Sequence, residues 1–255
     1  MMNKIVEIVK KQSLVAMLFS MLLLTSLALP NEKPDDSGKK NTAKTQKSKR
    51  ILFLGNSLSA GLGVAPEQAF PALIQQKIDS LGWQFQVING GLSGETSAGG
   101  MRRLNWLLKR KIDVLVLELG ANDGLRGHSP KLTEENLQEI IRRAKKKYPG
   151  VRIIIAGMEA LPNMGDVFVK EFRAIFPRLA KKNNAALIPF LLENVAGKPE
   201  LNQGDGVHPN AAGHKIVAEN VWKILKPELE KIRQTSVSGK SNGADDPVGA
   251  KYKLK

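Results

Sequence analysis

Apolar residues along this chain fall into short unbroken runs, which alternate with longer stretches where they return every three or four positions. The runs at 51–54, 85–89, 114–119, 151–158 and 187–190 have strand length and are bounded by Gly, Pro or polar residues. The run 114–119 is nearly continuous, as expected for a strand buried on both faces. Helical spacing covers 70–81, 101–111, 133–148, 167–184 and 210–232, and Leu104, Leu107 and Leu108 share one side of the second helix. In 133–148, Thr133 is the expected N-cap. Glu134 and Glu135 follow in the first turn and Lys145, Lys146 and Lys147 lie in the last, an order that suits the helix dipole. Pro149-Gly150 ends that helix, and Pro177 predicts a kink in 167–184. Strands alternating with helices imply an α/β fold of three layers, a parallel sheet covered on both faces.

The pattern confines the folded domain to 50–232. Before it, Lys4, Lys10 and Lys11 precede an uncharged apolar run at 14–29, the order of a signal peptide or an N-terminal membrane anchor. Ser26-Leu27-Ala28 offers small residues for cleavage after Ala28. That segment predicts export to the periplasm, the cell envelope or the medium. Residues 30–49 are almost devoid of apolar side chains and read as a disordered linker, and 233–255 reads as a disordered tail. A chain of 255 residues buries one sizeable core, and a monomer is expected.

Composition changes this picture in two places. The formal net charge is +15, of which +6 falls in 1–50 and +5 in the much longer 51–230. A domain whose charge is so diluted along the sequence shows no sign of the basic face that nucleic-acid binding needs, leaving mild attraction to anionic lipid headgroups. Cysteine is absent, which excludes disulfides, thiolate metal sites and a Cys nucleophile.

In open α/β sheets, ligands bind beyond the carboxyl ends of the strands, and four polar clusters stand there. They are Gly55-Asn56-Ser57-Leu58-Ser59, Asn89 to Thr96, Gly120-Ala121-Asn122-Asp123, and Asp205-Gly206-Val207-His208-Pro209. Serine attack on an acyl carbon needs a base, and the base needs an orienting group. His208 is the one histidine with a carboxylate three residues before it, and Gly206 lets the chain turn so that Asp205 can reach its Nδ1. Ser57 is then the candidate nucleophile. The backbone N–H groups of Ser57 and Gly94 and the amide of Asn122 are candidate donors to an oxyanion.

These blocks, GNSLS at 55–59, the Gly94 loop, GAND at 120–123 and DGVHP at 205–209, resemble those of the SGNH/GDSL hydrolases, in the same order. LELGANDGLRG at 117–127 and IFPRLAKKNNAALIPFLLENV at 175–195 are similar to the bacterial periplasmic thioesterase I/protease I/lysophospholipase subgroup, also known as arylesterases. The resemblance implies a flavodoxin-like five-stranded sheet and a catalytic set of Ser57, Asp205 and His208. It implies an oxyanion hole of Ser57, Gly94 and Asn122, no cofactor, and acyl ester, thioester or lysophospholipid substrates. The loop Leu125, Arg126, Gly127 and His128 is expected to line the substrate site. One departure is Asn56, where the family usually has Asp. Restoring that carboxylate is expected to add a charge-assisted bond to the turn and so to raise stability, or to leave activity within a few-fold.

Rival readings are weaker. Ser93 has no neighbouring base. His214 reads as a structural histidine on a helix. A metal site from Asp205, His208 and His214 lacks ligand spacing, so none is expected. The glycines at 55–63 fit no phosphate loop. A carbohydrate O-acetylesterase and a catalytically silent binding protein on the same fold remain the alternatives.

Overall fold

The computed structural model describes residues 48–241. The elements are β1 (Lys49–Gly55), α1 (Ser57–Ala60), α2 (Phe70–Ser80), β2 (Phe85–Gly91), α3 (Ser97–Leu107), β3 (Val114–Glu118) and α4 (Ala121–Leu125). They continue through α5 (Pro130–Lys147), β4 (Arg152–Ala156), α6 (Asp166–Asn183), β5 (Ala186–Ile188) and α7 (Ala211–Ser241). The five strands form one parallel sheet in the order β2-β1-β3-β4-β5, the flavodoxin-like order, with its switch point between β1 and β3. Helix α2 packs against α7, while α3, α5 and α6 pack side by side. The central strands are buried throughout: Ile51, Leu52, Phe53 and Leu54 of β1 and all of β3 have almost no exposed surface.

Element positions agree with the sequence pattern in the interior and differ at the ends. β1 begins at Lys49, which pairs with Phe85, so the expected linker loses its last residue to the sheet. Helix α3 starts four residues earlier than expected, because the Thr96 hydroxyl accepts the Gly99 N–H and caps it there. Helix α5 starts at Pro130 rather than after Thr133, since proline is preset for a first helical position. Thr133 is buried inside the helix and its hydroxyl donates back to the Ser129 carbonyl. The last helix does not stop at Ile232 but runs to Ser241, so the expected tail is helical at its start. Ile232 is still buried there, and the Arg233 guanidinium lies 4.5 Å from the Trp83 ring centre, which extends the packed face by a further turn. Helix α6 includes Pro177 within its span. The expected signal or anchor segment at 1–29 and the linker through 47 lie outside the described residues, as does 242–255.

Candidate active site

β1 leads into the turn that carries Ser57, the candidate nucleophile. Its last residue, Gly55, is in contact with the Ser59 hydroxyl and Glu118 Oε2, and any Cβ there would collide with both. Asn56 caps α1 by accepting the Leu58 N–H through Oδ1 at 2.9 Å. Ser57 is therefore the first residue of a one-turn helix, with its hydroxyl aimed off the carboxyl edge of the sheet.

The loop between β5 and α7 carries His208, the candidate base. An antiparallel bridge between Asn202 and Pro209 pinches it closed, and the Gln203 N–H donates to the His208 carbonyl at 2.8 Å. The Gln203 amide nitrogen donates to the Leu62 carbonyl at 2.6 Å and the Pro209 carbonyl at 3.0 Å, tying this loop to the end of the nucleophile turn. Gly206 has φ of +69°, the left-handed turn that lets Asp205 face back toward His208. His208 Nε2 lies 2.8 Å from Ser57 Oγ, and His208 Nδ1 lies 2.7 Å from Asp205 Oδ2. Asp205 Oδ1 accepts the backbone N–H of His208 at 3.0 Å and of Val207 at 2.9 Å. Those N–H groups, and after them the imidazole, hold the Asp205 carboxyl down at about 2. A carboxylate so placed favours the tautomer with Nδ1 protonated, which leaves Nε2 as an acceptor facing the Ser57 hydroxyl.

The other two strand ends supply donors. Gly94 has φ of +76°, and the Arg126 guanidinium donates to its carbonyl at 3.0 Å, which holds the loop after β2 against the loop after α4. Asn122, on α4, donates one amide hydrogen to the Glu95 carbonyl at 3.0 Å, leaving the second available. The backbone N–H groups of Ser57 and Gly94 make no hydrogen bond among the described residues. Of the expected substrate-lining loop, Leu125, Arg126 and His128 are all exposed, and Gly127 makes the turn with φ of +65°. His128 Nδ1 stands 3.7 Å from Asp123 Oδ1. His214 is apart from this set. It is buried in α7, stacks on Phe70 and accepts the Phe70 N–H at 3.2 Å. Burial, with a smaller contribution from the charge of His208, lowers its pKa to about 4, so it is neutral.

Three supports beneath the site were not read from the sequence. Glu118, the last residue of β3, is fully buried and accepts from the Asn56 N–H, the Ser59 N–H (both 3.1 Å) and the Ser59 hydroxyl (2.6 Å). Arg103 holds the Glu95 carboxylate and donates to the Gly90 and Gly55 carbonyls, clamping the ends of β1 and β2 together. Asp123 accepts the Ser97 N–H at 2.8 Å and the Ser97 hydroxyl at 2.6 Å, fixing α4 to the start of α3. The one readable signal was Glu118 itself, a lone carboxylate within the apolar run 114–119.

Glu118 changes the expectation for Asn56. Burial raises the Glu118 pKa from 4.5 to about 7, against the pull of the Ser59 hydroxyl and the two N–H donors. Asn56 is itself buried, and its Nδ2 and Glu118 Oε1 have no hydrogen-bond partner, although the amide beside the carboxylate also favours its charged form. An Asn56→Asp change would set a second buried carboxylate beside the first, where like charges oppose ionisation. Glu118 already holds a proton that the unfolded chain has released, so stability falls as pH rises from 4.5 to about 7 in both proteins, and the added carboxylate extends that loss to higher pH in the variant. The expected result is a variant that melts a few degrees below the natural protein at about pH 8 and near it at about pH 5. Thermal melts at both values check this; a variant that melts higher at the alkaline value would mean the carboxylate stabilises the turn after all.

A serine, an imidazole and a carboxylate in hydrogen-bonded series at the carboxyl edge of a parallel sheet form the constellation of serine hydrolases, which recurs on unrelated folds. The chain belongs to the GDSL-like lipase/acylhydrolase family of ester-hydrolysing enzymes, whose pattern matches residues 53–216. It is 38% identical over 180 residues to Esterase TesA of Pseudomonas aeruginosa, which covers 70% of this chain and 89% of the relative. It is 39% identical over 180 residues to Thioesterase 1/protease 1/lysophospholipase L1 of Escherichia coli, 69% of this chain and 83% of the relative. Among solved structures, TesA superposes with a TM-score of 0.67 at 38% identity over 70% of this chain and 99% of its own. The psychrotrophic esterase EstA of Pseudoalteromonas sp., in a form inhibited by monoethylphosphonate, gives 0.68 at 33% identity over 72% of this chain and all of its own.

Proposed function

We propose that this protein hydrolyses acyl esters, thioesters or lysophospholipids through an acyl-enzyme on Ser57. The observation that carries this reading is the unbroken series Ser57 Oγ, His208 Nε2, His208 Nδ1 and Asp205 Oδ2, with separations of 2.8 and 2.7 Å across the ring. Ser57 Oγ attacks the acyl carbon as its proton passes to His208 Nε2. The carbonyl oxygen, now negative, is held by the Ser57 and Gly94 N–H groups and the free Asn122 amide hydrogen. The tetrahedral species collapses as His208 returns the proton to the departing alcohol or thiol. Water, deprotonated by the same imidazole, then attacks the acyl-serine and releases the carboxylic acid, restoring Ser57.

The surroundings favour an apolar acyl group. Leu62, Leu92, Leu125, Leu161 and Val207 are each at least 40% exposed, and each follows a strand or sits in the His208 loop. Exposed apolar side chains gathered at one edge mark a binding surface, and the relatives include an esterase and a thioesterase/lysophospholipase. An envelope location agrees with the basic, then apolar, pattern of the first 29 residues.

The test is a fluorophosphonate probe followed by a substrate panel. Stoichiometric labelling of Ser57, blocked by prior hydrolysis-resistant phosphonate, is the expected outcome. Acyl-CoA, p-nitrophenyl esters and lysophosphatidylcholine should be cleaved faster than acetyl-xylan. A protein that takes up no probe is a silent binding protein, and one that cleaves only acetyl-xylan is a carbohydrate O-acetylesterase.

A further inference from the structure

Part of the charge that is diluted along the sequence gathers at one edge of the fold. Every strand starts at the amino edge of the sheet, and the helices descend from the site edge back toward it, so the last turns of α3, α5 and α6 gather at the amino edge. Three basic runs end there: Lys-Arg-Lys at 109–111, Lys145, Lys146 and Lys147, and Lys181 with Lys182. They adjoin one another. The Tyr148 hydroxyl donates to the Leu108 carbonyl at 2.6 Å, and Lys145 Nζ donates to the Asn183 carbonyl at 2.6 Å. None of these eight cations is in an ion pair among the described residues. The nearby acids are engaged: Asp113 accepts the Arg50 N–H, and Glu228 pairs with Arg152 and Lys231. The helix dipole favours a cation in a last turn but does not call for runs of three.

Two further features stand at this edge. Trp106, one turn before 109–111, is 66% exposed, and Leu81 at the foot of α2 is 46% exposed. The described chain also enters the domain here, at Lys49, and residues 39–50 carry six basic and no acidic residues, downstream of the apolar run 14–29.

We propose that the amino edge of the sheet, centred on 109–111 and 145–147 with Trp106, is a docking surface for the anionic headgroups of a phospholipid bilayer. Clustered Lys and Arg bind such headgroups, and a tryptophan with an apolar body and a polar N–H sits at the interface between headgroups and acyl chains. Exposed Trp106 and Leu81, together with the upstream apolar run, select a lipid surface over nucleic acid, which needs the cations alone. The docking surface does not depend on the hydrolase reading. If both hold, the Ser57 edge opens away from the bilayer, toward substrates released into the aqueous phase.

The full chain is mixed with phosphatidylcholine vesicles, with and without phosphatidylglycerol, and bound protein is separated by flotation. The expected result is binding that needs phosphatidylglycerol and weakens steeply as salt rises. Reversing three exposed charges in Lys109→Glu/Arg110→Glu/Lys111→Glu should weaken it roughly 100-fold while leaving hydrolysis of a soluble p-nitrophenyl ester unchanged. Should that variant misfold, Lys146→Gln/Lys147→Gln replaces it, with a smaller loss. Trp emission should shift to shorter wavelength on anionic vesicles, and Trp106→Phe should remove most of the shift. Equal binding to neutral vesicles, charge-reversed protein that binds as well as the natural one, or tighter binding to duplex DNA than to anionic vesicles at the same salt would each overturn the proposal.

Discussion

Replacing Ser57 with alanine is expected to lower kcat/KM by roughly 10³-fold or more while leaving the melting temperature nearly unchanged. The Ser57 hydroxyl is hydrogen-bonded to His208 Nε2 and to no other side chain described, and the residue is 7% exposed. Alanine therefore removes one oxygen without opening the core or breaking the α1 cap, which belongs to Asn56. The neighbouring hydroxyl cannot substitute. Ser59 is fully buried and donates to Glu118 Oε2 at 2.6 Å, so it is committed to the turn's support. His208→Ala should cost about as much, and the double variant little more, because a nucleophile and its base act as a unit. Asp205→Ala should retain more activity, since it removes the orienting group and leaves the base. Steady-state rates on one p-nitrophenyl ester, alongside thermal melts, measure all four. More than a few per cent of natural activity in Ser57→Ala would reject the assignment.

Asn122→Ala is expected to lower kcat by roughly 10²–10³-fold with little change in KM, as for loss of one oxyanion donor. The split follows from where the amide acts. One of its hydrogens is already used on the Glu95 carbonyl, in the ground state and the transition state alike. In the proposed mechanism the other meets a substrate oxygen whose charge develops only as the tetrahedral species forms, so its loss falls on kcat. A positional role predicts a different result. If Asn122 only ties the Glu95 segment, alanine would move the Gly94 loop, raise KM and lower the melting temperature with kcat preserved. Asn122→Asp keeps the size and loses the donor, and should resemble alanine in kcat.

The proposed catalytic set was legible because each member stands in a short polar cluster directly after an apolar run. Ser57, Gly94 and Asn122 each follow a strand within a few residues, and the Asp205–His208 pair is local, closed by the Gly206 turn. Their supports were not legible. Glu118 is 59 residues from Ser59, and Arg103 reaches the carbonyl of Gly55, 48 residues away. In the sequence Arg103 is one more cation on an amphipathic helix. The helix starts misread at Met101 and Thr133 have the same origin: a cap is decided by one hydroxyl or one proline, not by periodicity, and Thr96 and Pro130 set them. The short helices α1 and α4, of four and five residues, hold too few turns to show any period at all.

By itself, the sequence determined the alternation of strand and helix, the parallel sheet it implies, and the candidate residues for acyl transfer. These are local properties, set by which side chains adjoin along the chain and by where glycine and proline interrupt them. Tertiary structure alone decided how the ionisable groups are used. It buried Glu118 beneath the Ser57 turn and thereby raised its pKa, set the charge-neutral Asn56 beside it, and made His214 a neutral core residue. It also gathered basic runs from three separate helices onto one edge, opposite the edge that carries Ser57. The physical reason is common to all of these: electrostatic energy depends on distance and solvent access in three dimensions, which separation along the chain does not record.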